Sequence, residues 1–214
     1  MGGNRPKQFL EVGGVPIVIH ALSQFERCAA INEIVAVLPA EETAGFSSLA
    51  QNFGISKLSR AVAGGATRAQ SMLCGLATID QAEFVAVHDG ARPFVTPEEI
   101  ERVMVAAHLS GAAVLVAPVA DTIKELEGNN IVRTIPRANL RRALTPQCFG
   151  YDLLKRAAAA VDELEATGVE VTDESMLVER LEVEITAVEG SARNIKITRQ
   201  EDLAWAEVLL KTFS

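Results

Sequence analysis

Stacking aromatics are scarce: one Trp, one Tyr and eight Phe are all that 214 residues hold, against 49% apolar residues overall. Packing must therefore rest on Ala, Val, Leu and Ile, within a length that suits one domain with a sizeable core. Cysteine is scarce as well. Cys28, Cys74 and Cys148 are odd in number, widely spaced and form no CxxC pair, which excludes a disulfide framework or a zinc ribbon. They read as reduced, structural thiols of a cytoplasmic protein. No apolar run approaches the ~20 residues of a membrane span, and the opening MGGNRPKQF has no apolar signal-peptide core. Positive charge is in deficit. A formal charge of −8 repels a phosphate backbone, which argues against polymeric nucleic acid as a partner. A small anionic substrate would need a local cluster of Lys and Arg. Repeats, linkers and low-complexity tracts are absent too.

What is present is alternation. A helix is expected to open at Pro16 and to bury Val18, Ala21, Leu22 and Phe25. The apolar runs at 34–38, 61–63, 84–87 and 113–118 read as strands covered on both faces. Helices are expected over 41–52 and from Arg68, and another where Thr96, Pro97 and Glu99 form a capping box. This order predicts an α/β, Rossmann-like fold: a mostly parallel sheet flanked by helices. Residues 121–126 and 131–135 alternate apolar and polar around Gly128-Asn129-Asn130, the pattern of an inserted β-hairpin. A lone hairpin is barely stable in water, so it must dock on its own domain or clasp a second subunit. Toward the end, Leu153, Leu154, Ala157, Val161 and Leu164 stripe a helix, and Thr172-Asp173-Glu174 opens another. Strands are expected at 183–188 and 194–197. A last helix, capped by Thr198 with Glu201, is expected to place Trp205 and Leu209 in the core.

Ligands of open α/β sheets sit beyond the carboxyl ends of strands, and the unusual residues cluster at such ends. Gly64-Gly65 reads as a plain turn or as bare backbone that a base can approach closely. Asp89 either caps a helix or binds Mg²⁺ or a ribose hydroxyl. Arg92 is either a surface ion-pair partner, worth little, or a bidentate phosphate clamp. Lys196, between Ile195 and Ile197, is an edge residue or a charge aimed into a site. His20, His88 and His108 show no metal-ligand spacing; the first and last fall in helices.

Together these blocks carry a resemblance. PKQF at 6–9, GGATRAQSMLCGL at 64–76, VHDGARPF at 87–94, APVADTIK at 117–124, LTPQ at 144–147, TDE at 172–174 and NIKIT at 194–198 span nearly the whole chain. In that order they resemble the 2-C-methyl-D-erythritol 4-phosphate cytidylyltransferase family of the non-mevalonate isoprenoid route. The resemblance implies CTP and methylerythritol phosphate as substrates, Mg²⁺ as cofactor and pyrophosphate as leaving group. It implies that Lys7 and Lys196 hold the triphosphate and the reacting α-phosphate, and that Gly65, Ala66 and Ser71 line a cytosine pocket. Asp89 and Gly90 would meet the ribose and the metal, and Asp89 and Arg92 the methylerythritol phosphate. Thr122 and Arg137, on an arm over 121–137, would reach the neighbouring subunit's substrate in a homodimer with swapped arms, with Thr145 nearby. The chemistry agrees. A phosphate monoester is mostly dianionic at neutral pH, so its attack needs charge stabilisation rather than a general base. Ribitol 5-phosphate cytidylyltransferases share most of these blocks.

One departure stands out. The family's first strand and its glycine-rich AAGxGxR loop have no counterpart, and Gly2-Gly3 lies too late to substitute. The expectation is a start further upstream, the alternatives being lost residues or a degenerate, non-catalytic dimerising homologue. A polypeptide starting at Met1 is expected to be less stable and to bind CTP poorly.

Overall fold

The computed structural model describes residues 6–213, so Gly2 and Gly3 lie outside the described residues. A 3-10 turn (Lys7–Phe9) leads into a small ribbon, β1 (Glu11–Val12) and β2 (Val15–Pro16), and then α1 (Ile17–Arg27). There follow β3 (Ile34–Leu38), α2 (Ala40–Thr43), α3 (Phe46–Asn52), β4 (Leu58–Ala63), α4 (Arg68–Leu76) and β5 (Phe84–Val87). The middle of the chain forms α5 (Pro97–Ser110), β6 (Ala112–Pro118), the hairpin β7 (Ile123–Glu127) and β8 (Asn130–Ile135), and β9 (Arg141–Gly150). Last come α6 (Tyr151–Ala158), α7 (Val161–Ala166), α8 (Glu174–Glu179), β10 (Thr186–Glu189) and α9 (Gln200–Phe213).

Local signals explain most of these bounds. Pro16 precedes α1, which buries Val18, Ala21, Leu22 and Phe25. In α5 the Thr96 hydroxyl accepts from the Glu99 N–H while the Glu99 carboxylate accepts from the Thr96 N–H, a complete capping box. Five of these local expectations fail. The one helix expected to carry the stripe from Leu153 to Leu164 is broken by a turn at 159–160 into α6 and α7. The helix expected over 41–52 is cut by Gly45, whose φ of +79° suits glycine and breaks the helical path. Residues 194–197 form no strand; the Ile197 N–H donates to the Ala91 carbonyl instead, at 2.9 Å. Asp202 rather than Glu201 receives the N–H groups of Thr198 and Arg199, each at 2.7 Å, because its shorter side chain reaches back onto the turn. Trp205 is 67% exposed, on the outer face of α9, and so is not core.

The sheet is mixed, not mostly parallel. One sheet runs β10-β6-β9-β5 and a second is β3-β4. β10 with β6 and β3 with β4 are parallel, whereas β9 is antiparallel to both of its neighbours. A parallel return needs a long crossover, usually a helix. Between β6 and β9 lies only the hairpin with a short 3-10 turn, so β9 comes back antiparallel. Ala113, Leu115 and Ala117 face one core layer with α1 and α5, while Ala112, Val114 and Val116 face the other, with α4, α6 and α8. That is the two-residue period of a strand buried on both sides.

Two irregularities interrupt the sheets. The first is that β9 carries Pro146 in a sheet interior, where proline is normally excluded. The register jumps there, from Val114 opposite Gln147 to Val116 opposite Ala143, so Thr145-Pro146 sits in a bulge. The second is that β3 and β5 belong to different sheets and face each other across a cleft of about 580 Å³. Val35, Val37, Met72, Gly75, Val85 and Val87 line its apolar length.

Candidate active site

The cleft ends at the carboxyl ends of these strands, among Arg68, Ser71, Asp89, Gly90 and Glu174. Arg68 opens α4, whose N-terminus is set by the Thr67 hydroxyl accepting from the Gln70 N–H at 3.1 Å. Asp89 lies just beyond the end of β5. Its Oδ1 accepts from Arg68 Nε at 3.1 Å, and its Oδ2 lies 3.0 Å from Lys196 Nζ and 3.3 Å from Arg92 Nε. Burial works to raise the Asp89 carboxyl, yet Arg68, Lys196 and Arg92 outweigh it and hold the group well below the usual carboxylate range. Arg68 in turn forks onto Glu174, Nη1 to Oε1 at 2.6 Å and Nη2 to Oε2 at 2.8 Å. Burial, with the neighbouring Asp89 charge, pushes the Glu174 carboxyl up, whereas at Arg68 the Glu174 and Asp89 carboxylates outweigh burial and push the guanidinium above its ordinary range. The bidentate geometry keeps both ionised.

A second network ties this group to the bulge. The Asp89 N–H donates to Thr145 Oγ1 at 3.1 Å. Since the Arg92 carbonyl can only accept, His88 Nε2, 3.0 Å away, carries the ring proton. His88 Nδ1 is then free to accept the Thr145 O–H at 2.9 Å. Burial pushes His88 down to about 4, so this neutral tautomer is the one present at pH 7. The buried Asn194 amide donates to the Thr145 carbonyl at 2.9 Å, and its own backbone carbonyl accepts from Arg92 Nη1 at 2.9 Å. No donor among the described residues reaches Asn194 Oδ1.

The glycines have a steric reason. A Cβ on Gly65 would lie 2.4 Å from Gln70 Cβ, and one on Gly64 would lie 2.6 Å from Ser71 Oγ. The Ala66 N–H donates to Gln70 Oε1 at 3.0 Å, and Gln70 Nε2 is held by Glu165 at 2.7 Å. Ser71 Oγ donates back to the Thr67 carbonyl at 2.9 Å. A compact backbone loop therefore borders the cleft beside Asp89.

Of the residues singled out from the sequence, the fold brings Asp89, Gly90, Arg92, Thr145 and Lys196 to one spot, with Ser71 at the same cleft and Gly65 and Ala66 in the loop leading to it. Lys7 stands on the first 3-10 turn, outside this ion-paired group. Thr122 and Arg137 are exposed at the base and beyond the end of the hairpin and join none of these contacts. Arg68 and Glu174 are the residues that motif reading left without a role. Their fork closes across 106 positions of sequence, which no local pattern carries. As to a metal, no group of three or more His, Cys, Asp or Glu is arranged to hold one among the described residues. With Asp89 as its protein ligand, whose oxygens already face three cations, a metal here would have to be held chiefly by phosphates and water, the usual mode of Mg²⁺.

Known proteins share this arrangement of blocks and this fold. The family model described as 2-C-methyl-D-erythritol 4-phosphate cytidylyltransferase matches residues 1–212. A protein of that name from Bacillus velezensis is 41% identical over 215 residues, covering 100% of this chain and 91% of its own length. One from Shouchella clausii is 40% identical over 205 residues, covering 96% and 88%. The crystal structure of the Thermus thermophilus enzyme superposes with a TM-score of 0.78 at 38% identity, covering 96% of this chain and 94% of that one. This chain belongs to the 2-C-methyl-D-erythritol 4-phosphate cytidylyltransferase family.

Proposed function

We propose that the Asp89 cluster performs the reaction for which the family is named: transfer of CMP from CTP to 2-C-methyl-D-erythritol 4-phosphate, with release of pyrophosphate, in isoprenoid precursor synthesis. The observation that carries the placement is the set of cations, Arg68, Arg92 and Lys196, gathered around one carboxylate at a strand end of an otherwise acidic protein. In this reading the loop backbone at Gly65 and Ala66, with Ser71, receives cytosine. Fixed N–H and C=O groups reject a base that leaves them unpaired. Asp89 and Gly90 meet the ribose. Arg92, Thr145 and Asp89 face the methylerythritol phosphate, and Lys7 and Lys196 hold the triphosphate. The incoming phosphate is already dianionic, so the site orients two anions in line and spreads the charge that builds on the α-phosphate. Asp89 would hold Mg²⁺, which when bound supplies charge neutralisation on the phosphates.

The same reading treats the chain as one domain, cytoplasmic, and paired as a homodimer in which residues 121–137 cross to the partner and bring Thr122 and Arg137 to its site. Pyrophosphate release with CTP and methylerythritol phosphate, run beside UTP and beside ribitol 5-phosphate, tests it. Turnover confined to the first pair is expected. Equal turnover with UTP would remove the base pocket from this loop, and preference for ribitol 5-phosphate would reassign the acceptor. No turnover with any pair would return the chain to a non-catalytic dimerising role.

A further inference from the structure

Asp89 is gripped at both oxygens, and the two grips differ in kind. Oδ2 faces Lys196 and Arg92, the groups read above as facing substrate. Oδ1 faces Arg68, whose remaining guanidinium nitrogens are taken by Glu174. Glu174 is 1% exposed and opens α8. That helix start is itself fixed. Asp173 Oδ1 accepts from the Met176 N–H at 3.0 Å, Asp173 Oδ2 accepts from Gln147 Nε2 at 3.0 Å, and Gln147 Oε1 accepts from the Ser175 N–H at 2.9 Å. The anchor therefore runs from β9 through α8 to Arg68 and ends on one oxygen of Asp89.

We infer that Glu174 and Arg68 are positioning residues for the transfer reaction, fixing the rotation of the Asp89 carboxylate so that one oxygen is always turned to Lys196 and Arg92. The inference rests on the reading of Asp89 and Lys196 given above. Rotation about the terminal carboxylate bond is soft, and three cations compete for two oxygens. Without the Arg68 grip, Asp89 is free to turn both oxygens onto Lys196 or Arg92 and withdraw them from a phosphate. A guanidinium suits the task because its planar fork serves two carboxylates at once, which an ammonium on a flexible stem does not. Glu174 neutralises Arg68, so the pair adds geometry to the site without adding net charge.

A purely structural role, tying α4 to α8, makes a different forecast, and two variants separate them. Replacing a buried ion pair by apolar residues of similar volume often leaves stability intact. The double variant Arg68→Met/Glu174→Met is therefore expected to keep its thermal midpoint while kcat falls by about 10²-fold, the usual cost of a misplaced reacting group. Arg68→Lys keeps the charge, loses the fork, and is expected to lose kcat more than it raises KM for CTP. Crystal structures of both variants supply a readout that needs no turnover: the Asp89 carboxylate should be rotated from the wild-type orientation, in which Oδ2 alone faces Lys196 and Arg92. Retention of the wild-type carboxylate orientation in both, or double-variant turnover within about twofold of wild type, overturns the inference. A wild-type protein that transfers no CMP would overturn the functional reading instead, and the Asp89 geometry would still decide the positioning claim.

Discussion

The Asp89 cluster and the hairpin arm are both rich in charge, and they differ in where their partners lie. Around Asp89, groups from α4, α8, the turn after β5 and the segment before α9 converge from as far apart in sequence as Arg68 and Lys196. On the arm, Arg133 pairs with Glu125 and Lys124 Nζ donates to the Thr134 hydroxyl, all within ten positions. The cluster is thus a product of the whole fold, and it shields its charges. The arm satisfies itself locally yet leaves Leu126, Ile131 and Val132 exposed. A two-stranded ribbon with outward apolar side chains is marginal by itself. Its charges are paired locally, while these three apolar side chains stay uncovered.

That contrast breaks most sharply at Lys196. Lys196→Ala is expected to lower kcat by about 10²-fold or more while the thermal midpoint barely moves, since its side chain is 35% exposed. Pyrophosphate release at saturating substrates measures this, and near wild-type turnover would take Lys196 out of the site. The arm is tested by mixing. Arg137→Ala and Lys196→Ala proteins should each be nearly inactive, yet random subunit exchange should restore about a quarter of wild-type turnover, because half the dimers then hold one intact composite site. No gain over the separate variants would show that Arg137 does not serve the partner's site.

The next effect is on stability. His88 is pushed down to about 4 by burial, below its ordinary 6.5, so the unfolded chain takes up a proton first. Its contribution is therefore complete above pH 6.5 and is lost progressively as pH falls from there through 4, by about 3 kcal/mol in all. Urea unfolding of wild type and His88→Gln between pH 7 and 4 should show a shallower decline in the variant; parallel curves would exonerate His88. The smallest effect belongs to the arm. Arg133→Ala removes an exposed ion pair and should cost less than about 0.5 kcal/mol. A loss well above about 1 kcal/mol on thermal unfolding would mean that the arm packs on its own domain.

Much of this was legible in the sequence where the signal is local. Thr96, Pro97 and Glu99 announce α5, the Gly128 turn announces the arm, and the apolar run 84–87 coincides with β5. Three things were not. β9 is hidden by Pro146, which reads as a strand breaker until the bulge opposite Leu115 gives it a place outside the ladder. The mixed sheet follows from that same unseen strand. Trp205 lies on a helix whose apolar residues do not all turn inward, and periodicity alone does not say which face is covered. At the site, motif residues were visible singly, but the fork that joins Arg68 to Glu174 is a contact between distant segments. Only the tertiary structure supplies it.

The cleft between β3 and β5 has a dynamic consequence. Among the described residues each of these strands is laddered along one edge alone, so alternate peptide groups of Ile34–Leu38 and Phe84–Val87 lie outside any ladder. β6 and β9, by contrast, are bonded along both edges. Deuterium uptake should therefore run faster along the two strands that face the cleft than in β6 and β9. The seam that ends near Asp89 is thus where backbone pairing is thinnest, while a shared apolar core still joins β3 to β6.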